Sequence, residues 1–197
     1  LHHYDYHCFA LKKQSHLKRT QKKFFVSCTF ASMQRRIYLV RHAQANPGTP
    51  EVSDELRALT PAGKIVSTQV GKFLYQKNSN LNLIISSHAK RAHHTALHIS
   101  KELNLQTEVC IEKILYSENL TGILQLLNLL PDVYSEVMLV GHYPTIVELQ
   151  NYLASNNQLT SMNTGELVVL GFENNWAGLS AGTALHEYSY HPSYTQA

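Results

Sequence analysis

The stretch IYLVRH at residues 37–42 decides the fold, because a wholly apolar run ends directly in an arginine and a histidine. A strand that offers no polar side chain to water is typical of a sheet covered on both faces. Two more runs of this kind, at residues 83–86 and 137–140, are each followed by a segment of helical length. This alternation predicts an α/β domain: a three-layer sandwich with a largely parallel sheet and helices on both faces.

The segments between the apolar runs carry helix signals. Thr60 and Pro61 form an N-cap followed by a helix-opening proline, and apolar residues then recur on one face as far as Leu74. A second apolar stripe extends from Ala92 to Leu103. The pattern also predicts a short strand at 108–111, helices near 121–130 and 146–153, and a closing antiparallel hairpin of strands at 167–172 and 184–190.

Length and composition fit one globular domain. The chain has 197 residues, of which 44% are hydrophobic and 16% charged, and its three cysteines share no C-x-x-C spacing. The odd cysteine count argues against a disulfide scaffold and favours a reducing compartment, so we expect a cytoplasmic protein. No apolar run approaches the roughly 20 residues that a membrane-spanning helix requires, so we expect no membrane partner.

Charge is divided unevenly along the chain. Residues 1–32 contain six lysines or arginines against one acid, whereas residues 33–197 contain eleven against thirteen. The second part has no basic excess suited to a phosphate backbone, which removes nucleic acid from the expected partners. Residues 1–32 also show neither strand nor helix periodicity. We therefore predict a disordered or non-native N-terminal extension over 1–32 and one domain over 33–197.

Basic side chains follow three of the apolar runs where each strand ends. Arg41 and His42 follow the first run, Arg91 comes shortly after the second, and His142 follows the run at 137–140. Open α/β sheets bind ligands at the carboxyl ends of their strands, so we expect these side chains to converge. Cationic donors around an imidazole that can act as a nucleophile suit a phosphoryl group, whose oxygens carry the charge during transfer.

These residues lie in three ordered motifs that resemble the histidine phosphatase (phosphoglycerate mutase-like) superfamily and, within it, the SixA-type phosphohistidine phosphatases. The Arg-His-Gly signature has Ala43 in place of glycine. Glycine permits backbone conformations that alanine does not, so the shape of the loop after His42 is open at this point. Residues 53–60 with Gly63 are similar to the Asp-x-x-Arg-Pro-Leu-Thr element of the SixA branch, with Ala58 in place of proline. The other two motifs comprise Ser87, Arg91, Ala92 and Thr95, and then Val140-Gly141-His142-Tyr143-Pro144.

The resemblance implies a phosphoglycerate mutase-like fold and a cofactor-independent phosphatase without a metal ion. His42 is the implied nucleophile, forming a covalent phosphohistidine that water then cleaves. His142 would be protonated when it faces the phosphate. The implied substrate-binding set is Arg41, Arg91, His142, Ser87 and Tyr143.

The motifs leave the proton donor open. Asp54, Glu55 and Glu118 are the candidates, because no insertion after Arg91 brings the glutamate that the mutase branch uses. We favour Asp54, since the resemblance places its loop beside the phosphate pocket.

The substrate class is predicted from loop lengths. The loop from Arg41 to Thr60 has about twenty residues and no other insertion could form a lid, so we expect an open, shallow pocket. Such a pocket favours phosphohistidine on a protein surface, hydrolysed as a phosphoramidate, over a small phosphorylated substrate. Two alternatives stay open: a phosphatase or mutase of small phosphorylated metabolites, and a non-catalytic phosphoryl-binding module.

The chain contains twelve histidines, and histidine is a common zinc ligand. His94 and His98 are spaced i, i+4 and could chelate zinc from one helix face. No H-E-x-x-H motif or intervening carboxylate accompanies them. We therefore expect exposed helix histidines and no metal.

Overall fold

The computed structural model describes residues 34–104, 109–117 and 119–194. The predicted extension over residues 1–32, the first residue of the predicted strand at 108–111 and the candidate acid Glu118 lie outside the described residues. Their assignments stay predictions, as does the domain boundary at Met33.

Strands and helices alternate in the order that the apolar runs predict. Short 3₁₀ turns also occur at Asp54–Leu56, Lys113–Leu115 and Trp176–Gly178. Among the described residues, no helix combines the length and apolar character needed to cross a bilayer. The elements are β1 (Arg35–Arg41), α1 (Pro61–Gln76), β2 (Leu83–Ser86), α2 (Lys90–Glu102), β3 (Cys110–Ile111), α3 (Leu120–Asn128), β4 (Glu136–Gly141), α4 (Thr145–Leu153), β5 (Leu167–Phe172) and β6 (Leu185–Tyr190).

The six strands form one mixed sheet in the order β3-β2-β4-β1-β5-β6. β3, β2, β4 and β1 pair in parallel, whereas β5 is antiparallel to both β1 and β6. The predicted closing hairpin is therefore confirmed as β5 and β6. The sheet is parallel over the part that carries the motifs, and "largely parallel" slightly overstates the whole.

Both faces of the sheet are covered, as the apolar β1 requires. Tyr38 and Val40 point to the face where α1 and α2 form the main core with β4 and β5. Strand pleating turns Ile37 and Leu39 to the opposite face, and α4 contacts β1 there beside α3. The three-layer α/β sandwich predicted from the sequence is thus confirmed.

The loop after β1 is fastened to the beginning of α1. Thr60 accepts a hydrogen bond from the Gly63 amide through its Oγ1 at 2.9 Å, which caps the helix as predicted. The Thr60 amide in turn donates to the Gln44 carbonyl at 3.0 Å. A Cβ atom at Gly63 would overlap this same carbonyl, so glycine allows the loop and the helix to approach closely.

We expect Gly63→Ala to destabilise the domain by about 1–3 kcal/mol, because the backbone at Gln44 must move away from the added methyl group. Gly48→Ala is the matched control, since its Cβ would meet nothing closer than the Arg57 Cδ at 3.8 Å. Urea denaturation of both variants tests this. Equal stability of the two variants would contradict the proposed close approach.

Candidate active site

The three predicted strand ends meet at one edge of the sheet. β1 and β4 are parallel neighbours, and the His42 amide donates to the Gly141 carbonyl at 3.0 Å. The rings of His42 and His142 lie 4.9 Å apart between centroids. Parallel pairing therefore brings together two histidines that are 100 positions apart in the sequence.

Arg91 links the two histidines. It is the second residue of α2 and is 6% exposed. Its Nε donates to His42 Nε2 at 3.2 Å, and its Nη2 lies 3.3 Å from His142 Nδ1. One edge of the guanidinium thus points into the space between the imidazoles.

The adjacent end of the Arg91 guanidinium, formed by Nη1 and Nη2, is held by Asp54. Nη1 donates to the Asp54 main-chain carbonyl, at 2.6 Å, and Nη2 donates to the carboxylate oxygen Oδ2 at 2.8 Å. These two hydrogen bonds fix the plane of the guanidinium, because both Asp54 oxygens accept from the paired nitrogens at its end.

Contact with Arg91 determines the tautomers of both histidines. An arginine only donates hydrogen bonds, so His42 Nε2 and His142 Nδ1 must present lone pairs. The remaining ring nitrogens then carry the protons. His42 Nδ1 donates to the Ala43 carbonyl at 2.8 Å, and His142 Nε2 donates to Ser87 Oγ at 2.9 Å.

Both imidazoles are neutral in the free site at neutral pH. Burial, together with the positive charges of Arg91 and Arg41, lowers the pKa of His42 to about 4, although the hydrogen bond to the Ala43 carbonyl acts in the opposite direction. Burial likewise lowers the pKa of His142 to about 3, with His42 and Arg91 acting in the same direction. His42 therefore has the neutral form that a nucleophile needs, whereas the expected protonated His142 would require a bound anion.

Arg41 is held at the edge of the site by a loop that precedes β5. Its Nη1 donates to the Met162 carbonyl, at 2.6 Å, and its guanidinium lies 5.3 Å from the centre of the Tyr143 ring. The Gly165 amide donates to the carbonyls of Arg41 and His42 at 3.0 and 3.1 Å. Burial lowers the Arg41 pKa, and its Nε has no hydrogen-bond partner among the described residues.

Ser87 and Tyr143 occupy different positions relative to the histidines. Ser87 is fully buried, and its hydroxyl also accepts from the Ala89 amide, at 3.2 Å. This geometry gives Ser87 a role in orienting His142 and does not favour the predicted direct contact with substrate. Tyr143 is 50% exposed beside Arg41 and lies at the opening, as a substrate-contacting residue requires.

Asp54 lies in the site, but it is not poised as an acid. Its carboxylate pairs with Arg57 and Arg91 at 2.8 Å each and accepts from the Tyr116 hydroxyl at 2.9 Å. The bond from Arg57, followed by those from Arg91 and Tyr116, holds the Asp54 pKa far below its usual value despite some desolvation. A carboxyl group that stays ionised has no proton to give, so the geometry argues against the predicted proton donor.

Ala43 fits the loop without strain. It is fully buried, its φ is not positive, and its amide donates to Thr95 Oγ1 at 3.0 Å. Thr95 also donates to the Arg91 carbonyl, at 2.8 Å, and so ties the nucleophile loop to α2. The loop therefore keeps its shape with alanine at this position.

Sequence reasoning missed Tyr116 and His88. The Tyr116 ring packs edge-on against His142 and His88, with centroid distances of 5.2 and 4.9 Å. His88 Nε2 lies 3.3 Å from the carboxylate of Glu55. The position of His88 beside the Ser87 motif was a usable signal, whereas Tyr116 belongs to no motif.

The described residues contain no group of three or more His, Cys, Asp or Glu side chains placed to hold a metal ion. His94 and His98 lie on α2, and burial and nearby positive charges lower the pKa of both.

The free energy of unfolding should decrease as the pH falls from about 6.5 towards 4, because the unfolded chain binds protons on His42 and His142 that the folded site does not bind. Each such group adds a slope of up to about 1.4 kcal/mol per pH unit. Above about pH 6.5 their contribution should be constant. Urea denaturation at fixed ionic strength checks this, and His142→Asn should reduce the slope. An unchanged slope in this variant would refute the lowered pKa.

Comparison with known proteins finds one family model that matches part of the chain. The model of the histidine phosphatase superfamily (branch 1) matches residues 37–114, which contain Arg41, His42 and Arg91. No curated protein matches the chain.

Solved structures of SixA proteins share the fold. A protein from Nakamurella multipartitia, named as a SixA phosphohistidine phosphatase, is 25% identical with a TM-score of 0.69, covering 81% of this chain and 96% of its own. A SixA protein from Agrobacterium tumefaciens is 22% identical with a TM-score of 0.68, covering 80% and 98%. The protein histidine phosphatase SixA complexed with tungstate is 18% identical with a TM-score of 0.65, covering 78% and 95%. The chain is thus similar to the histidine phosphatase superfamily over residues 37–114, and it shares its fold with SixA proteins of known structure.

Proposed function

We propose that this protein is a cofactor-independent phosphatase that removes the phosphoryl group from phosphohistidine on proteins, through a covalent phosphate on His42. The observation that supports this proposal is the position of Arg91 between two neutral imidazoles. The lone pair of His42 Nε2 accepts from the Nε–H of Arg91 at 3.2 Å. A phosphoryl group entering this space would replace the lone pair as the acceptor for Arg91 and meet the nucleophile directly.

The reaction has two displacements at phosphorus. His42 Nε2 forms a bond to phosphorus while the bond from phosphorus to the substrate imidazole nitrogen breaks, and that nitrogen keeps the electron pair and takes a proton from solvent water. Water then attacks the phosphorus on His42, the Nε2–P bond breaks, and inorganic phosphate leaves. The Ala43 carbonyl, which accepts from Nδ1–H at 2.8 Å, stabilises the positive charge that the ring gains in the first step.

Arg41, Arg91 and His142 would neutralise the oxygens of the phosphoryl group. Arg91 offers its Nε and Nη2 hydrogens on the edge that faces the imidazoles. Arg41 retains an unpaired Nε–H in the described structure and stands over the exposed Tyr143. A bound dianion raises the pKa of an adjacent imidazole, which would let His142 take up a proton and donate to the phosphate.

Asp54 acts in this proposal as a positioning residue for Arg91. Its main-chain carbonyl and Oδ2 both accept from the guanidinium, and Arg57 and Tyr116 hold the carboxylate in place. The leaving group of phosphohistidine needs less help from a general acid than that of an alkyl phosphate, because the P–N bond is labile. A site without a poised carboxylic acid therefore favours a phosphoramidate substrate.

The opening of the site fits a phosphorylated side chain presented by another protein. The side chain of Asp54 is 49% exposed and Tyr143 is half exposed, whereas Arg91 beneath them is almost fully buried. A shallow opening of this kind gives little remote binding energy for a small metabolite. The alternative function is that of a phosphatase of small phosphate esters. The odd number of cysteines, three, favours a reducing compartment and therefore action in the cytoplasm.

Turnover should leave a transient phosphate on His42, because its Nε2 is the nucleophile. Rapid quenching followed by peptide mapping should locate an acid-labile, base-stable label on this residue, and His42→Ala should abolish both label and activity. A label on another residue would overturn the mechanism. Faster turnover of sugar phosphates than of a phosphohistidine peptide, in kcat/KM, would favour the alternative substrate class.

Asp54→Asn should lower kcat by about ten- to a hundredfold, because Arg91 loses a charged partner that sets its orientation. The loss should be the same for phosphohistidine and for 4-nitrophenyl phosphate, whose leaving group needs no proton. Tyr116→Phe, which removes one hydrogen bond to Asp54, should cause a smaller loss of the same kind. A loss confined to the substrate with the poorer leaving group would instead make Asp54 the acid.

A further inference from the structure

The layer formed by α1 and α2 differs in charge from the rest of the domain. Residues 61–104 contain six lysines or arginines and a single acid, Glu102, whereas the remainder of residues 33–197 contains five against twelve. The domain, nearly balanced as a whole, is therefore divided into one basic layer and an acidic remainder. Because α1 and α2 pack together on one face of the sheet, this division is also spatial.

The basic side chains of this layer gather on the solvent side of α1 and α2. Lys64, Lys90 and Lys101 are exposed, and His94 and His98 are partly exposed between them. We call these five residues the basic face. His94, His98 and Lys101 line one surface depression together with Leu97. Burial lowers the pKa of both histidines, and Lys64 lowers both further, together with Lys90 at His94 and Lys101 at His98.

One end of the basic face adjoins the candidate active site. Lys90 directly precedes Arg91 at the beginning of α2, and Lys64 lies in the first turn of α1, next to Gly63, which contacts the loop after His42 at Gln44. The side chains of Leu97 and Ile65 add apolar surface, being 45% and 38% exposed. A molecule that lies along the two helices would therefore reach the site with one end.

We propose that the basic face docks an acidic protein surface that surrounds the phosphorylated histidine of the substrate. This inference rests on the proposed function and assigns the partner of the same site. Apolar side chains among charged ones are typical of protein interfaces, where a small apolar area is surrounded by polar groups. The partner must also carry the phosphoryl group to His42, which a protein with acidic residues near its phosphohistidine can do.

Electrostatic attraction here serves recognition and the rate of association more than tight binding. Exposed charges interact over distances comparable to the Debye length, roughly 10 Å at 0.1 M salt, so binding should weaken as salt is added. Complementary charge raises association rates and disfavours partners of the wrong sign. Basic partners and uncharged peptides should therefore be poor substrates even when they carry phosphohistidine.

Two phosphohistidine peptides of equal length, one flanked by Asp and Glu and the other by Ser and Gly, would test the proposal. Binding is measured by fluorescence anisotropy on His42→Ala protein, which cannot form the covalent intermediate, and hydrolysis is measured on the wild-type chain. The variant Lys64→Glu is compared with Lys77→Glu, each made in both backgrounds. Lys77 is the matched control, because it lies at the other end of α1, where its Nζ is 5.6 Å from the centre of the Phe73 ring.

We expect the acidic peptide to bind about tenfold more tightly than the neutral one at low salt, and the difference to shrink at high salt. Lys64→Glu should remove most of this preference, Lys77→Glu should keep it, and hydrolysis of phosphoramidate should be the same in both variants. Equal binding of the two peptides, or equal effects of the two variants, would overturn the docking proposal.

The two proposals can fail separately in this experiment. Selective binding of the acidic peptide without hydrolysis of either would leave the basic face supported and refute the proposed phosphatase reaction. Hydrolysis of both peptides with equal affinity would do the opposite. Phosphatidylserine vesicles serve as a third ligand, and tighter Lys64-dependent binding to them than to the acidic peptide would assign the face to a membrane and overturn the proposal.

Discussion

Arg91 cannot accept a hydrogen bond, and this property sets the protonation of the whole strand edge. The ring nitrogens that face its Nε and Nη2 must each offer a lone pair. His42 and His142 are therefore both neutral and have defined tautomers. Burial alone would also favour neutral imidazoles, but it would not choose which nitrogen carries the proton. Because the choice leaves Nε2 of His42 unprotonated, the atom that would attack phosphorus in the proposed reaction faces the guanidinium of Arg91.

The position of Arg91 depends in turn on contacts outside the motifs of the two histidines. Asp54 binds the end of the Arg91 guanidinium, and Arg57 and Tyr116 in turn bind Asp54. Thr95 links the backbone of Arg91 to that of Ala43. Three of these bonds, from Arg91 and Tyr116 to Asp54 and from Ala43 to Thr95, join parts of the chain that are 37 to 62 positions apart. The loop after β1 and the 3₁₀ turn at Asp54–Leu56 are therefore parts of the site, even though neither offers a nucleophile.

The sequence predicted the parts of the molecule that depend on local pattern. Apolar runs ending in Arg41 or before His142 could be assigned to buried parallel strands, and Thr60 with Pro61 located the beginning of α1 because capping acts within one turn. The role of Asp54 could not be predicted in this way, since its ionisation depends on Arg57, Arg91 and Tyr116 together. Tyr116 lies 62 positions from Asp54, and no spacing rule connects them.

The positive charges of the domain act both inside the candidate active site and on the surface of α1 and α2. Within the site, burial and then the guanidinium groups of Arg91 and Arg41 lower the pKa of His42 and keep its imidazole neutral, and in the proposed reaction the same two groups bind a dianion. Outside the site, the exposed lysines of α1 and α2 extend this positive potential along the surface, where water and salt weaken it but do not remove it. An anionic partner would thus be attracted by exposed charges and would meet buried ones only at His42. Asp54 already neutralises part of the Arg91 charge, so the site is less positive than its arginines alone suggest. In the proposed reaction, the phosphoryl group would bind at the Nε side of Arg91, which Asp54 does not occupy.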